Sequence, residues 1–140
     1  MPLYMFVHPV LGLLAVALIL TAFALKAGRR KAWSLHYATG LSAGAAGLAA
    51  LGVALWAVGT RMVQTGGNPG LPRITTLHLM VAAVGVLVLM AQVGLGLAVR
   101  YVLGGPPRFL RYHRRNGWLL AGLAVAILLL GLGTLAGIMT

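Results

Sequence analysis

Four apolar runs dominate the chain, and short segments rich in basic residues, Gly and Pro separate them. The runs cover about Val7–Leu25, Ser34–Gly59, Thr76–Val99 and Trp118–Ile138. Each is close to the ~20 residues that an α-helix needs to cross ~30 Å of hydrocarbon. Transmembrane β-strands would be about half as long and would alternate, which these runs do not. The pattern therefore predicts an all-α fold, an integral membrane antiparallel four-helix bundle.

The separating segments place the helices at about 3–26, 30–62, 73–102 and 108–139, in a single domain that covers 1–140. A basic cluster (26–31), a turn-rich loop (65–72) and a Gly-Pro segment (104–107) mark the breaks. Hydrophobic residues make up 61% of the chain, and the mean hydropathy is +0.99. A soluble domain of this size could not hide so much apolar surface, which favours the membrane class.

The absence of acidic residues and cysteine excludes several kinds of catalytic and metal-binding site. The chain has 11 Lys and Arg, no Asp or Glu, and no Cys. Carboxylate acid–base pairs, carboxylate-bound metals, Ser-His-Asp triads and thiolate sites are therefore absent. A net charge of +11 could indicate a nucleic-acid partner. We predict no such partner, because the basic residues flank the apolar runs, where membrane topology accounts for them.

The distribution of basic residues predicts the orientation in the membrane. Nine lie in the first and third connections: Lys26, Arg29, Arg30, Lys31, Arg100, Arg108, Arg111, Arg114 and Arg115. Only Arg61 and Arg73 lie on the opposite side. The positive-inside rule then predicts a multi-pass protein of the cell inner (plasma) membrane with both termini on the outer, periplasmic side.

The four histidines of the chain fall one in each predicted helix, near its start: His8, His36, His78 and His113. In an up-down bundle, His8 and His78 lie towards the outer face, and His36 and His113 towards the inner face. Non-consecutive helices face each other across the diagonal of a square bundle. A flat macrocycle between them would receive one imidazole on each side, so we predict two bis-His haem b sites.

Other residues fit this hypothesis. A small residue follows each of the four histidines by one turn and would leave room beside the imidazole: Gly12, Gly40, Ala82 and Gly117. Arg30, Arg111, Arg114 and Arg115 on the inner side, and Arg61 and Arg73 on the outer side, could meet haem propionates. Zinc is a poorer match, since each end offers only two His ligands.

Two further features have simpler interpretations. Gln92 is the one amide in the third apolar run, and a hydrogen bond to a neighbouring helix is its most economical role, ahead of a haem or a quinone. Most of the glycines at 40, 44, 47, 85, 94, 131 and 133 are expected to allow close helix packing. Pro9 would either kink the first helix or mark its start.

A different hypothesis remains open at this point. Each histidine taken singly could be an interfacial, neutral side chain. The chain would then be a haem-free transport or channel protein, or a structural subunit. The placement of the set, with one histidine per helix and two per side, favours haem.

The chain resembles the cytochrome b561 family. The resemblance is carried by His8 in His-Pro-Val-Leu-Gly, His36 in His-Tyr-Ala-Thr-Gly, His78 in Thr-Leu-His-Leu-Met and His113 in Tyr-His-Arg-Arg-Asn-Gly. It implies that the first and third helices hold one b-type haem and the second and fourth the other. Many members have six helices and this chain has four, and substrate identity does not carry over.

These observations predict electron transfer across the membrane between the outer face and a quinone or inner-face partner. The protein would act as a cytochrome or as the membrane subunit of an oxidoreductase, in which the cofactor supplies the redox chemistry. With four helices and short connections, the chain is expected to work with a redox partner protein or a larger membrane complex.

Overall fold

Four α-helices form the part of the chain that the computed structural model describes, which is residues 4–28, 33–67, 70–98 and 107–139. The helices are α1 (Tyr4–Gly28), α2 (Trp33–Gln64), α3 (Arg73–Leu97) and α4 (Pro107–Met139). The described residues are 95% helical and include no strand. The predicted all-α class with four helices is confirmed.

The helix boundaries agree with the expected ones to within a few residues where both are described. α1 and α2 end at Gly28 and Gln64 rather than at 26 and 62. Expected helical residues at 3, 30–32 and 99–102 lie outside the described residues, as do Arg29, Arg30, Lys31 and Arg100. Pro9 lies inside α1, so the helix does not begin at this proline.

The end of α2 shows how the predicted turn-rich loop stops the helix. The backbone N–H of Gly67 donates to the carbonyl of Met62 at 2.8 Å, and Gly66 and Gly67 have φ values of 67° and 104°. This left-handed backbone costs glycine little and closes the last helical turn. The chain is thereby released from α2 and can return as α3.

Each helix contains a stretch that is long and apolar enough to cross a membrane. The stretches are Phe6–Leu25, Ser34–Gln64, Arg73–Leu97 and Leu110–Gly137, with mean hydropathies between 1.8 and 2.5. Large apolar side chains also point outwards, for example Leu87 and Leu129, which are 70% and 63% exposed. Such a surface is suited to lipid and supports the predicted membrane class.

The helices form a four-membered ring in which consecutive helices are neighbours. α1 packs mainly on α2 and α3 on α4, with smaller contacts between α2 and α3 and between α1 and α4. His8 near the start of α1 lies against Ala50 of α2, and Ala22 near the end of α1 lies against His36. The two helices are therefore antiparallel, and α1 and α3 lie across the diagonal, as do α2 and α4.

An apolar layer fills the middle of the bundle and draws on all four helices. Its buried members are Val16, Ile19, Ala43, Leu89, Leu120 and Ala124. A Cβ added at Gly47 would lie 3.2 Å from Leu89 Cδ2, so this glycine lets α2 and α3 approach closely, as expected. A Cβ added at Gly40 or Gly94 would meet no atom within 4 Å, so these two glycines are the exceptions in a set most of which was expected to allow close packing.

Candidate functional site

The imidazoles of His8 and His78 face each other across one diagonal of the bundle. Their ring centres are 6.1 Å apart, and their planes are inclined at 82°. The two residues come from α1 and α3, near the start of each helix. We call this end of the bundle the His8 end.

A second pair has the same geometry at the other end of the bundle, which we call the His36 end. The ring centres of His36 and His113 are 6.1 Å apart, with an interplanar angle of 87°. The structure therefore brings the first histidine together with the third, and the second with the fourth, in the pairs that the sequence led us to expect.

Backbone carbonyls orient one imidazole of each pair. The Nδ1–H of His8 donates to the carbonyl oxygen of Ala50 at 3.0 Å, and that of His36 donates to Ala22 at 2.8 Å. A carbonyl can only accept, so the proton lies on Nδ1 and the lone pair on Nε2. In most metal-binding histidines, a hydrogen bond of this kind from the ring nitrogen that does not bind the metal orients the imidazole.

A spacing of fourteen residues recurs in all four helices. Fourteen residues after His8 and His36 come Ala22 and Ala50, the two carbonyl partners. Fourteen after His78 comes Gln92, which bonds His113, and fourteen after His113 comes Ile127, whose backbone lies beside His78. Fourteen residues are nearly four helical turns, so each helix shows one histidine and one partner on the same face, about 21 Å apart.

The imidazoles of α3 and α4 each lie beside a glycine of the other of these two neighbouring helices. A Cβ added at Gly131 would lie 3.2 Å from Cε1 of His78, and one added at Gly96 would lie 3.4 Å from Cε1 of His113. A side chain at either position would crowd the ring. Nδ1 of His78 is buried and makes no hydrogen bond with the described residues, although the backbone of Ile127 is beside this ring.

A cavity of about 430 Å³ opens at the His36 end. The imidazoles of His36 and His113 line it, together with apolar side chains, Gln92 and Arg114. Phe23 and Trp118 meet edge to face at its wall, with ring centres 4.6 Å apart. Its volume and mostly apolar lining fall in the range of small-molecule binding pockets.

The predicted small residues leave open space beside the histidines. A Cβ added at Gly12 or Gly40 would meet nothing within 4 Å, and one added at Gly117 would meet only the Gln92 amide, at 3.5 Å. Gly40 and Gly117 both line the cavity at the His36 end. Gly12 and Gly40 thus have open space beside them, whereas Gly117 lies close to the Gln92 amide.

The predicted arginines differ in their positions relative to the imidazoles. Arg111, Arg114 and Arg115 are all exposed, and of the three only Arg114 lines the cavity. Arg61 lies in the last turn of α2 and Arg73 begins α3, both exposed at the His8 end. Arg30 falls outside the described residues. Arg114 is thus the cation best placed for an anionic group in the cavity.

Gln92 makes the interhelical hydrogen bond expected of it. Its Nε2–H₂ group donates to the carbonyl of His113 at 2.9 Å and lies 3.4 Å from Nε2 of the same residue. The sequence did not reveal that its partner would be a histidine of the site. It also did not reveal Ala22, Ala50 and Gly96, although the fourteen-residue spacing was a signal that could have found the two alanines.

Two imidazoles at each end of the bundle suit a metal ion whose remaining ligands belong to a cofactor. Metal–imidazole bonds of about 2 Å on either side of an ion would hold two ring centres about 6 Å apart, which both pairs satisfy. The described residues contain no cluster of three or more His, Cys, Asp or Glu side chains. A protein-only zinc site needs three or four ligands, whereas haem iron needs only the two axial ones.

No protein-family model matches this chain, and comparisons with curated proteins and with solved structures give no match.

Proposed function

We propose that the chain is a membrane cytochrome b, which binds two bis-His haem b groups and passes electrons from one face of the membrane to the other. His8 and His78 would ligate one haem, and His36 and His113 the other. The observation that carries the proposal is the separation of 6.1 Å between ring centres in both pairs, each built from diagonal helices.

The chain's own groups perform three tasks in this proposal. The carbonyls of Ala50 and Ala22 hold His8 and His36 in the tautomer that presents Nε2 as a ligand. Gly40 and Gly117 keep the cavity at the His36 end open, and Arg114 supplies a cation for a propionate. Haem iron, when bound, supplies one-electron chemistry by changing between the ferric and ferrous states.

The apolar layer between the two ends keeps the path through the protein dry. Val16, Leu89 and Ala124 belong to this layer, whose buried members among the described residues are all apolar. The axial distance of about 21 Å between the histidine pairs covers most of a ~30 Å hydrocarbon layer. A haem at each end would therefore be close to one membrane face.

The orientation and the redox partners belong to the same proposal. Nine basic residues in or next to the first and third connections favour an orientation with the His36 end on the inner side and both termini on the outer, periplasmic side of the plasma membrane. A quinone or a partner protein would exchange electrons with the exposed edge of a haem. The chain would serve as a cytochrome or as the membrane subunit of an oxidoreductase.

Electron transfer across a sealed vesicle tests this function. The purified, haem-loaded protein would be reconstituted into liposomes that contain ferricyanide, and a reductant that cannot cross the membrane would be added outside. We expect reduction of the trapped ferricyanide, one electron for each ferricyanide, in vesicles with the wild-type protein. Vesicles with His78→Ala should lose this reaction, because the path at the His8 end is broken.

Protein-free vesicles measure the leak, and vesicles with Met80→Ala provide the matched control. Met80 lies two residues from His78 and is 64% exposed, outside both sites. Ferricyanide reduction by the wild type no faster than the leak would contradict the proposed function, even if the haems are present.

A further inference from the structure

Gln92 occupies, in α3, the position at which the other three helices bring backbone beside an imidazole of a neighbouring helix. Ala22, Ala50 and Ile127 each follow a histidine of their own helix by fourteen residues and present backbone to the imidazole of a neighbouring helix. At the corresponding position of α3, a side-chain amide reaches across to α4. The two histidine pairs are therefore alike in geometry and different in this one partner.

The amide makes its closest contacts with a single residue. Gln92 Nε2 is 2.9 Å from the carbonyl oxygen of His113 and 3.4 Å from the Nε2 of its imidazole. The first contact is a good hydrogen bond, and the second is near the limit of one. The amide therefore fixes the backbone of His113 on the wall of the cavity that they share. Its contact with the ring is the weaker one, because an N–H group beside Nε2 could use only the lone pair that a metal would also need.

The position of the amide has a cost that packing does not explain. Oε1 of Gln92 is buried and makes no hydrogen bond with the described residues. A buried polar atom left unsatisfied is unfavourable, and such an atom in a folded protein calls for an explanation. An apolar side chain would fill this place between α3 and α4 without an unsatisfied polar atom. The role of Gln92 therefore lies in the hydrogen bond from its N–H₂ group to His113.

We infer that Gln92 is a positioning residue for His113, which sets the orientation of this imidazole and makes the site at the His36 end different from the site at the His8 end. The inference rests on the proposed function as far as haem is concerned. The contact joins two residues of the chain itself, so it can be tested separately. Gly117 belongs to the same arrangement, because a Cβ added there would lie 3.5 Å from the amide nitrogen.

Gln92→Leu removes the amide, and Gln92→Met removes it with a side chain of closer shape, in case the branched residue does not fit. Thr134→Val is the matched control. Thr134 is a second polar side chain in an apolar stretch, and its hydroxyl donates only to Leu130 of its own helix, at 2.9 Å. All variants would also be made in a His78→Ala background, in which only the site at the His36 end should bind haem.

Two measurements decide the inference. In haem-free protein, ¹⁵N NMR of labelled histidine should show changed ring resonances for His113 in both Gln92 variants, and unchanged ones for His8. In haem titrations in the His78→Ala background, both variants should bind about 10- to 100-fold more weakly, the usual effect of losing a group that orients a ligand. Thr134→Val should match its parent in both measurements.

Unchanged His113 resonances in both Gln92 variants would overturn the inference, and so would equal haem affinity in the presence and absence of the amide. If the wild-type protein takes up no haem, the proposed function fails. The ring resonances of His113 then still decide whether Gln92 positions this imidazole.

Discussion

His78→Ala is expected to abolish bis-His ligation at the His8 end and to leave the other site intact. The variant removes one of two imidazoles whose ring centres are 6.1 Å apart, and no other His, Cys, Asp or Glu side chain joins the pair in the described residues. The loss should exceed the about 10- to 100-fold that follows when only a group orienting a ligand is removed. The haem content of the purified protein should fall from two to one per chain.

Low-temperature EPR and absorption spectra of the oxidised protein check this prediction. The remaining haem should keep the low-spin signal of two axial imidazoles, because His36 and His113 lie in the other half of the bundle. Met80→Ala, at an exposed position on the same helix, should retain both haems. Loss of both haems in His78→Ala, with the bundle still folded, would contradict independent sites built from these pairs.

Gly40→Phe is expected to eliminate haem binding at the His36 end while the bundle still folds. Gly40 lines the cavity of about 430 Å³, and a Cβ added there meets no atom within 4 Å. The added Cβ therefore meets no neighbour, and the phenyl ring beyond it would project into the space that a porphyrin needs. Haem content should again fall to one per chain, this time with the His8 end loaded.

Gly52→Phe supplies the comparison on the same helix. Gly52 is exposed, and a Cβ added there also meets nothing within 4 Å, so the same change is made outside the cavity. This control should keep two haems per chain by pyridine haemochrome assay. Full haem content in Gly40→Phe would show that the cavity is not the binding place, whatever the role of the histidines.

The sequence predicted the helices and the histidine pairs because both follow from strong, regular signals. Apolar runs near ~20 residues long leave little choice other than membrane helices. With one histidine near each helix start, the alternating direction of the helices dictates that His8 meets His78 and His36 meets His113. The contacts of α1 with α2 and of α3 with α4 agree with this arrangement.

The partners of the imidazoles were harder to predict because they depend on how the helices are rotated and shifted against each other. Gly96 and Gly131 lie beside the rings because α3 and α4 meet in one register, and the abundance of glycine in the chain gave no sign of which glycines these would be. Ala22 and Ala50 act through backbone carbonyls, so their side chains carried no sign of this role. Gln92 was conspicuous as a polar residue, but its partner became identifiable only in three dimensions.

The most direct test of the account is the haem content of the purified wild-type protein. The protein would be expressed with an adequate haem supply, purified in mild detergent, and examined by a reduced-minus-oxidised absorption spectrum and a pyridine haemochrome assay. Two histidine pairs of equal geometry predict a b-type spectrum and two haems per chain. A folded protein with no b-type spectrum would contradict the account.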